Sequence, residues 1–298
     1  VLFQSYFVTA GRPTLGLLLS IGSGISNAVL DYLFIVVFQL GVAGAALATG
    51  IGQCIPAVVG LIFFFTNKQG LHFTKFSFYK RELLQACYNG SSEMVSQLSM
   101  AVVTVLFNIV LMRIAGEHGV AAITILLYGQ FLFNSFYLGF SIGVAPIVGF
   151  QYGARNKVLL RRVYRISFLF VIASSIFLLG AAEALSRPII TIFTHDAETF
   201  PLALTGFRLF AFCFLFSGVN ITSSGFFTAL SNGRVSAILS FCRTFVFTAV
   251  CLIVLPHFLG INGAWIAVPA AEALTLLISM YMHQKYFVRP GKQNYFAE

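Results

Sequence analysis

The sequence is poor in charge. Of its 298 residues, 18 are Lys or Arg and 9 are Asp or Glu, 9% in all. Soluble domains carry about 25% charged residues. So few charges cannot cover a soluble fold of this length, which excludes a soluble enzyme and a disordered tail. Cysteine is sparse and odd in number: Cys54, Cys87, Cys213, Cys242 and Cys251 all fall in apolar stretches. They read as buried thiols packing as small hydrophobes, not as a disulfide scaffold. There is no Walker A motif, hence no ATP drive, and no HExxH or Ser-His-Asp arrangement. The five histidines (His72, His118, His195, His257, His283) lie scattered in loops or at span ends, without metal spacing. The chain is therefore not read as an enzyme. Its net charge of +9 comes without a soluble segment long enough for a nucleic-acid-binding domain. No basic n-region or cleavage pattern precedes the apolar start at Val1, so no signal peptide is read.

Hydrophobic residues make up 58% of the chain, 34 of them Phe, and mean hydropathy is +0.91. A membrane-crossing helix needs about 20 apolar residues. Residues 1–10 read as the tail of a helix. Eight full spans follow at 14–38, 43–66, 82–112, 120–147, 163–193, 200–230, 235–256 and 262–284. The fold class is an all-α polytopic membrane bundle. Basic residues alternate with the spans. One side holds Arg12, Lys68, Lys75, Lys80, Arg81, Arg155, Lys157, Arg161, Arg162, Arg165, Arg234, Lys285, Arg289 and Lys292, the other only Arg113 and Arg187. By the positive-inside rule the first side, with the C-terminus, is cytoplasmic.

Two segments recur at one offset, 219 residues. Phe7-Val8-Thr9-Ala10 returns as Phe226-Phe227-Thr228-Ala229, and Gly41-Val42-Ala43-Gly44-Ala45-Ala46-Leu47-Ala48 as Gly260-Ile261-Asn262-Gly263-Ala264-Trp265-Ile266-Ala267. Residues 1–66 thus match the end of a six-span unit that runs from about 82 to 288. The expectation is a parent of twelve spans in two lobes, with further helices upstream of Val1. The chain then divides into 1–66 (helix-4 tail and helices 5 and 6 of a first lobe), a cytoplasmic connection at 67–81, a second lobe at 82–288 (helices 7–12) and a tail at 289–298. Same-direction repeats about an axis along the membrane normal are a transporter design.

An ionisable group at bilayer depth costs about 2.5–3.5 kcal/mol on insertion scales and needs a reason. Three acids lie within spans: Asp31, Glu93 and Glu272. Asn89, Glu93, Ser96 and Gln97 share one helix face, a stripe that either lines a wet cavity or packs inside the lobe. Asn27 stacks one turn before Asp31, and Thr49 in the next span can reach across. Together they make a hard-oxygen set for Na⁺ or a proton-carrying carboxyl, unless Asp31 only caps its helix. Glu272 and Arg243 suit a structural ion pair, and Arg208 is expected to snorkel. Tyr128, Gln130, Asn134, Ser135 and Tyr137 in one span, and Asn220, Thr222, Ser223 and Ser224 in another, suit either a lining for organic cations or hydrogen bonding between helices. Gly139-x-x-x-Gly143 permits close helix approach.

These residues resemble the multidrug and toxic compound extrusion (MATE) family. The resemblance is carried by Asn27 to Asp31 followed by Gly41 to Thr49, by Asn89 to Glu93, by Pro146 to Asn156 (PIVGFQYGARN) and by Gly260 to Trp265. It implies twelve helices in two lobes around a V-shaped cleft, and alternating access that couples H⁺ or Na⁺ influx to export of drugs and organic cations. It also implies a monomer, multi-pass in the plasma (inner) membrane, with no cofactor beyond the coupling ion. By resemblance, Asn27, Asp31 and Thr49 match a first-lobe cation site and Glu93 an essential second-lobe acid. Asn89, Ser96, Gln97, Tyr128, Gln130, Asn134 and Tyr137 are the cleft candidates. The acid that some members carry on the tenth helix has no counterpart across 207–230. Alternatives are a lipid-linked oligosaccharide flippase, which needs a cationic cavity, and a non-transporting membrane scaffold.

Overall fold

The computed structural model describes residues 2–67, 70–74, 77–288 and 294–296. Lys68, Lys75, Arg289 and Lys292 of the charge count lie outside the described residues. Among the described residues every regular element is a helix. The chain forms two compact units, Val1–Tyr79 and Lys80–Glu298.

The first unit holds α1 (Leu2–Thr9), α2 (Pro13–Asp31) and α3 (Gly41–Thr66). Pro13 opens α2 at a position where its missing N–H is not needed. Past Asp31 the helix widens into a π-helical turn, Tyr32–Val37. Its core is aromatic: Phe7 is fully buried and packs on Phe63 and Phe64 at 5.1 and 5.2 Å. Helices α2 and α3 run antiparallel and close. A Cβ on Gly52 would stand 3.1 Å from Asn27, and one on Gly44 2.9 Å from Phe34, so only glycine admits this approach.

The second unit begins with α4 (Lys80–Gly153), 74 residues. Straight, it would measure about 110 Å, against a hydrocarbon core of about 30 Å. It breaks at Gly116, whose φ of 62° and ψ of −150° are open only to glycine. The two limbs, 80–115 and 117–153, are separate spans. Next come α5 (Lys157–Phe193), α6 (Thr199–Ala211), α7 (Cys213–Ala229), α8 (Gly233–Phe241), α9 (Phe247–Leu259) and α10 (Ile261–His283). A π-turn, Cys242–Val246, joins α8 to α9, and another, Gln284–Val288, extends α10. Asn156 and Asn232 cap α5 and α8 through their side chains. Among the described residues six helices are long and apolar enough to cross a membrane, seven with α6 and α7 counted as one broken span. The Gly116 break makes them eight.

The expected straight span at 200–230 is bent by 49° between α6 and α7. Just past the joint, the buried Tyr137 hydroxyl donates to the Phe214 carbonyl at 2.9 Å. The core of the unit surrounds this joint, with Phe107, Ile123, Leu126, Phe207, Phe210 and Trp265 essentially enclosed. The outward faces are apolar, as lipid requires: Leu169, Phe177, Ile253 and Leu277 are more than 60% exposed. Two expectations are corrected. Cys213 and Cys251 are buried, but Cys54 and Cys87 point outward, since an outer face in lipid accepts a thiol as readily as a core does. At Gly139 and Gly143 nothing lies within 4 Å of an added Cβ, so no close approach is made there.

Candidate functional site

In the first unit the Gly52 and Gly44 contacts fix the register of α2 against α3. By that register Asp31 lies level with the buried Ala48, while Thr49, the next residue, is exposed and makes no hydrogen bond to Asp31 or Asn27. Ser23 reinforces the register by donating to the Gly52 carbonyl at 2.6 Å. Asp31 Oδ1 and Asn27 Nδ2 are both buried and have no hydrogen-bond partner among the described residues. Buried polar atoms of this kind are rare and call for a ligand, an ion or water. The amide of Asn27 can present its oxygen equally well by a flip about the terminal bond. Carboxylate, amide oxygen and hydroxyl are hard donors, which fit an alkali cation or a proton. The π-turn begins immediately after Asp31, a placement common at functional sites.

In the second unit the four-residue stripe divides. Its members spread over about 100° of the helix circumference, too wide for one environment. Asn89 faces inward and donates to the Thr228 carbonyl at 3.0 Å, and Ser96 is buried. Glu93 and Gln97 lie on the exposed flank, Gln97 donating to Glu93 Oε1 at 2.9 Å. The cleft candidates of the 117–153 limb divide in the same way. Tyr128 is 61% exposed and stacks on Phe193. Gln130 and Asn134 are half-buried, and Asn134 accepts from Ser217 at 3.2 Å. Tyr137 is fully enclosed, bonded to Ser175 and to the Phe214 carbonyl. It is a structural pin and not a surface that a substrate can touch, because its face of the limb turns into the α5–α7 interior.

Arg243 and Glu272 meet at 3.3 Å. Glu272 is 3% exposed, and its second oxygen accepts from Asn220 at 2.7 Å, while Asn220 also donates to the Glu272 carbonyl and accepts from Ser279. Further along the same α7–α10 seam, His283 lies between Ser223 (2.7 Å) and Tyr164 (3.1 Å), enclosed by Phe168, Phe227 and Phe287. The sequence groups Asn220 with Ser223 and pairs Glu272 with Arg243, but carries no signal that joins them to Ser279, His283 or Tyr164. Arg208 is exposed and touches Ser186.

One cluster has no trace in the sequence. Just past the Gly116 break, His118 sets Nδ1 3.2 Å from Asp196 and Nε2 3.1 Å from Glu198, with Thr199 at 2.9 Å. A neutral imidazole has one N–H, so only the doubly protonated ring donates to both carboxylates. Asp196 also accepts from the Thr199 backbone at 2.8 Å. The hydrogen bonds from Thr199, with the nearby His118, hold its carboxyl below the usual range. Among the described residues no group of three His, Cys, Asp or Glu is arranged to hold a metal ion.

The chain was compared with known proteins. It is similar to the multidrug export protein MepA of Staphylococcus saprophyticus, 21% identical over 295 residues, covering 94% of this chain and 62% of the relative. MepA of Staphylococcus aureus (strain NCTC 8325) is 23% identical over 272 residues, 89% of this chain and 58% of the relative. The chain thus spans about three-fifths of the length of these curated relatives. Among solved structures, an outward-facing multidrug resistance MATE family transporter of the MOP superfamily superposes with a TM-score of 0.84 at 23% identity, covering 95% of this chain and 64% of that one. A Vibrio cholerae MATE transporter gives 0.81 at 23% identity, covering 95% and 64%. These likenesses establish the fold. The MatE family profile matches residues 94–254, more than half of the chain, from Met94 in the first limb of α4 into α9. The chain belongs to the MatE family.

Proposed function

We propose that this chain works as part of a cation-coupled antiporter that exports drugs and organic cations by alternating access, with its basic side and C-terminus in the cytoplasm of the plasma membrane. The two named relatives are multidrug export proteins, and the reading carries that function over. The observation behind the coupling is the state of Asp31, Glu93 and Glu272, the acids that the sequence singles out. Glu272 is occupied by Arg243 and Asn220. Among the described residues, Asp31 keeps a buried oxygen without a partner, and Glu93 is met by a neutral amide alone. A carboxylate with unused bonding capacity can take up and release an ion at little structural cost. Asp31, with Asn27 and Thr49, is the proposed site for H⁺ or Na⁺, and Glu93 a second acid exposed to substrate or proton. The ion and the drug need only prefer different arrangements of the protein, since exchange follows from differential affinity alone. Arg243 lies against Glu272 and so does not supply the cationic lining that a flippase for pyrophosphate-linked lipids requires.

The test is efflux of a fluorescent organic cation from cells expressing the protein, under imposed proton or sodium gradients. Asp31→Asn and Glu93→Gln are each expected to reduce gradient-driven efflux to background at unchanged membrane abundance. Efflux that persists in both variants rejects the coupling assignment.

A further inference from the structure

Helix α5 is longer than a membrane requires. Its 37 residues extend about 55 Å, against a hydrocarbon core of about 30 Å. Part of the excess lies at the N-terminal, basic end, where Arg161, Arg162 and Arg165 are all exposed. The helix buries Leu160, Ser167, Val171 and Ser175 on the other side. Arg161, Arg165, Leu169, Ile172 and Ile176 follow at spacings of four, four, three and four, so they form one outward row. Leu169, Ile172 and Ile176 are 71%, 48% and 62% exposed. From Arg165 to Ile176 the row rises about 16 Å, close to one leaflet of a core about 30 Å thick. The chain carries no Asp or Glu between Glu117 and Glu183. Among the described residues, none of the three arginines has a carboxylate within ion-pair distance. Arg161 is held in place by its guanidinium, 5.2 Å over the Phe296 ring.

Guanidinium groups at headgroup height, without a carboxylate partner among the described residues and set directly over an apolar strip one leaflet long, match one ligand class in both charge and length. We propose that this row binds an acidic phospholipid, its phosphate on Arg161 and Arg165 with Arg162 beside them, and an acyl chain along Leu169, Ile172 and Ile176. Planar guanidinium pairs suit phosphate oxygens. The site is independent of the ion or drug the protein carries.

The experiment places the protein in nanodiscs of phosphatidylcholine and phosphatidylglycerol and measures, by native mass spectrometry, the ratio in which the two lipids stay bound on release. The wild type is expected to enrich phosphatidylglycerol, and the enrichment to fall as salt is raised. In Arg161→Gln/Arg162→Gln/Arg165→Gln, at about fivefold per cation lost, the ratio falls on the order of a hundredfold. The corresponding triple Lys variant keeps most of it, which separates lost charge from lost folding. A wild type without enrichment, or enrichment unmoved by salt or by the Gln variant, overturns the proposal. Inorganic phosphate that removes the enrichment at unchanged ionic strength also overturns it, since the arginines would then be reading free phosphate and not a lipid.

Discussion

Asp31 and Glu272 are both acids in spanning helices, each with an asparagine close by, and their situations are opposite. Glu272 has an arginine on one oxygen and an asparagine on the other, and that asparagine is itself held by Ser279. Asp31 has a buried oxygen with no partner, beside an asparagine in the same condition. A carboxylate and an asparagine therefore make a strut in one unit and a pair with unpartnered buried atoms in the other. Residue identity does not decide the role of a buried carboxylate; the balance of donors around it does.

The largest expected effect comes from breaking the strut. Arg243→Met leaves Glu272 buried without its counter-ion, and loss of one partner of such a pair costs about 3–5 kcal/mol. A large drop in melting temperature in detergent, or loss of membrane-inserted protein, is the expected result; an unshifted melt shows that Glu272 is not held by charge. Next is Tyr137→Phe, which takes a buried donor from Ser175 and the Phe214 carbonyl and is expected to cost about 1–3 kcal/mol. Asp31→Asn belongs at the other end of the comparison, with a change in stability of about 0.5 kcal/mol or less expected where no partner is lost, while cation-dependent efflux disappears. A melt as strongly perturbed as that of Arg243→Met makes Asp31 a second strut. The smallest effect is at Asp196, which is well bonded like Glu272 but lies in water. Its carboxyl is held below the usual range by Thr199. The stabilisation is present above the ordinary carboxylate pKa and is lost as pH falls through the lower folded value. Melting curves of wild type and Asp196→Asn should differ slightly at neutral pH and converge in strong acid; curves that stay parallel throughout reject the shift.

Much of the fold is legible in the sequence because bilayer thickness imposes a length on every span. Eight apolar runs follow from hydropathy, as does the gap between 112 and 120 in which the Gly116 break falls. The Arg243–Glu272 contact is legible too, since neither charge has another reason to be in an apolar helix. The rest depends on what the helices pack against. Spacing places Asn89, Glu93, Ser96 and Gln97 on one face, but a face 100° wide crosses the boundary between lobe interior and exterior, and only neighbouring helices locate that boundary. Tyr137 reads as a cleft aromatic until α5 and α7 close over it. His118 and Asp196 are 78 positions apart, and no periodicity links two loops.

The joint at Phe212 has a mechanical consequence. A continuous rod would force the Arg208 end and the Asn220 end to turn together. With the two arms at 49°, both still pack on α4, α5 and α10, and the second reaches α8 as well. Because both arms rest on the helix that carries Glu272, a shift of either one bears on the strut.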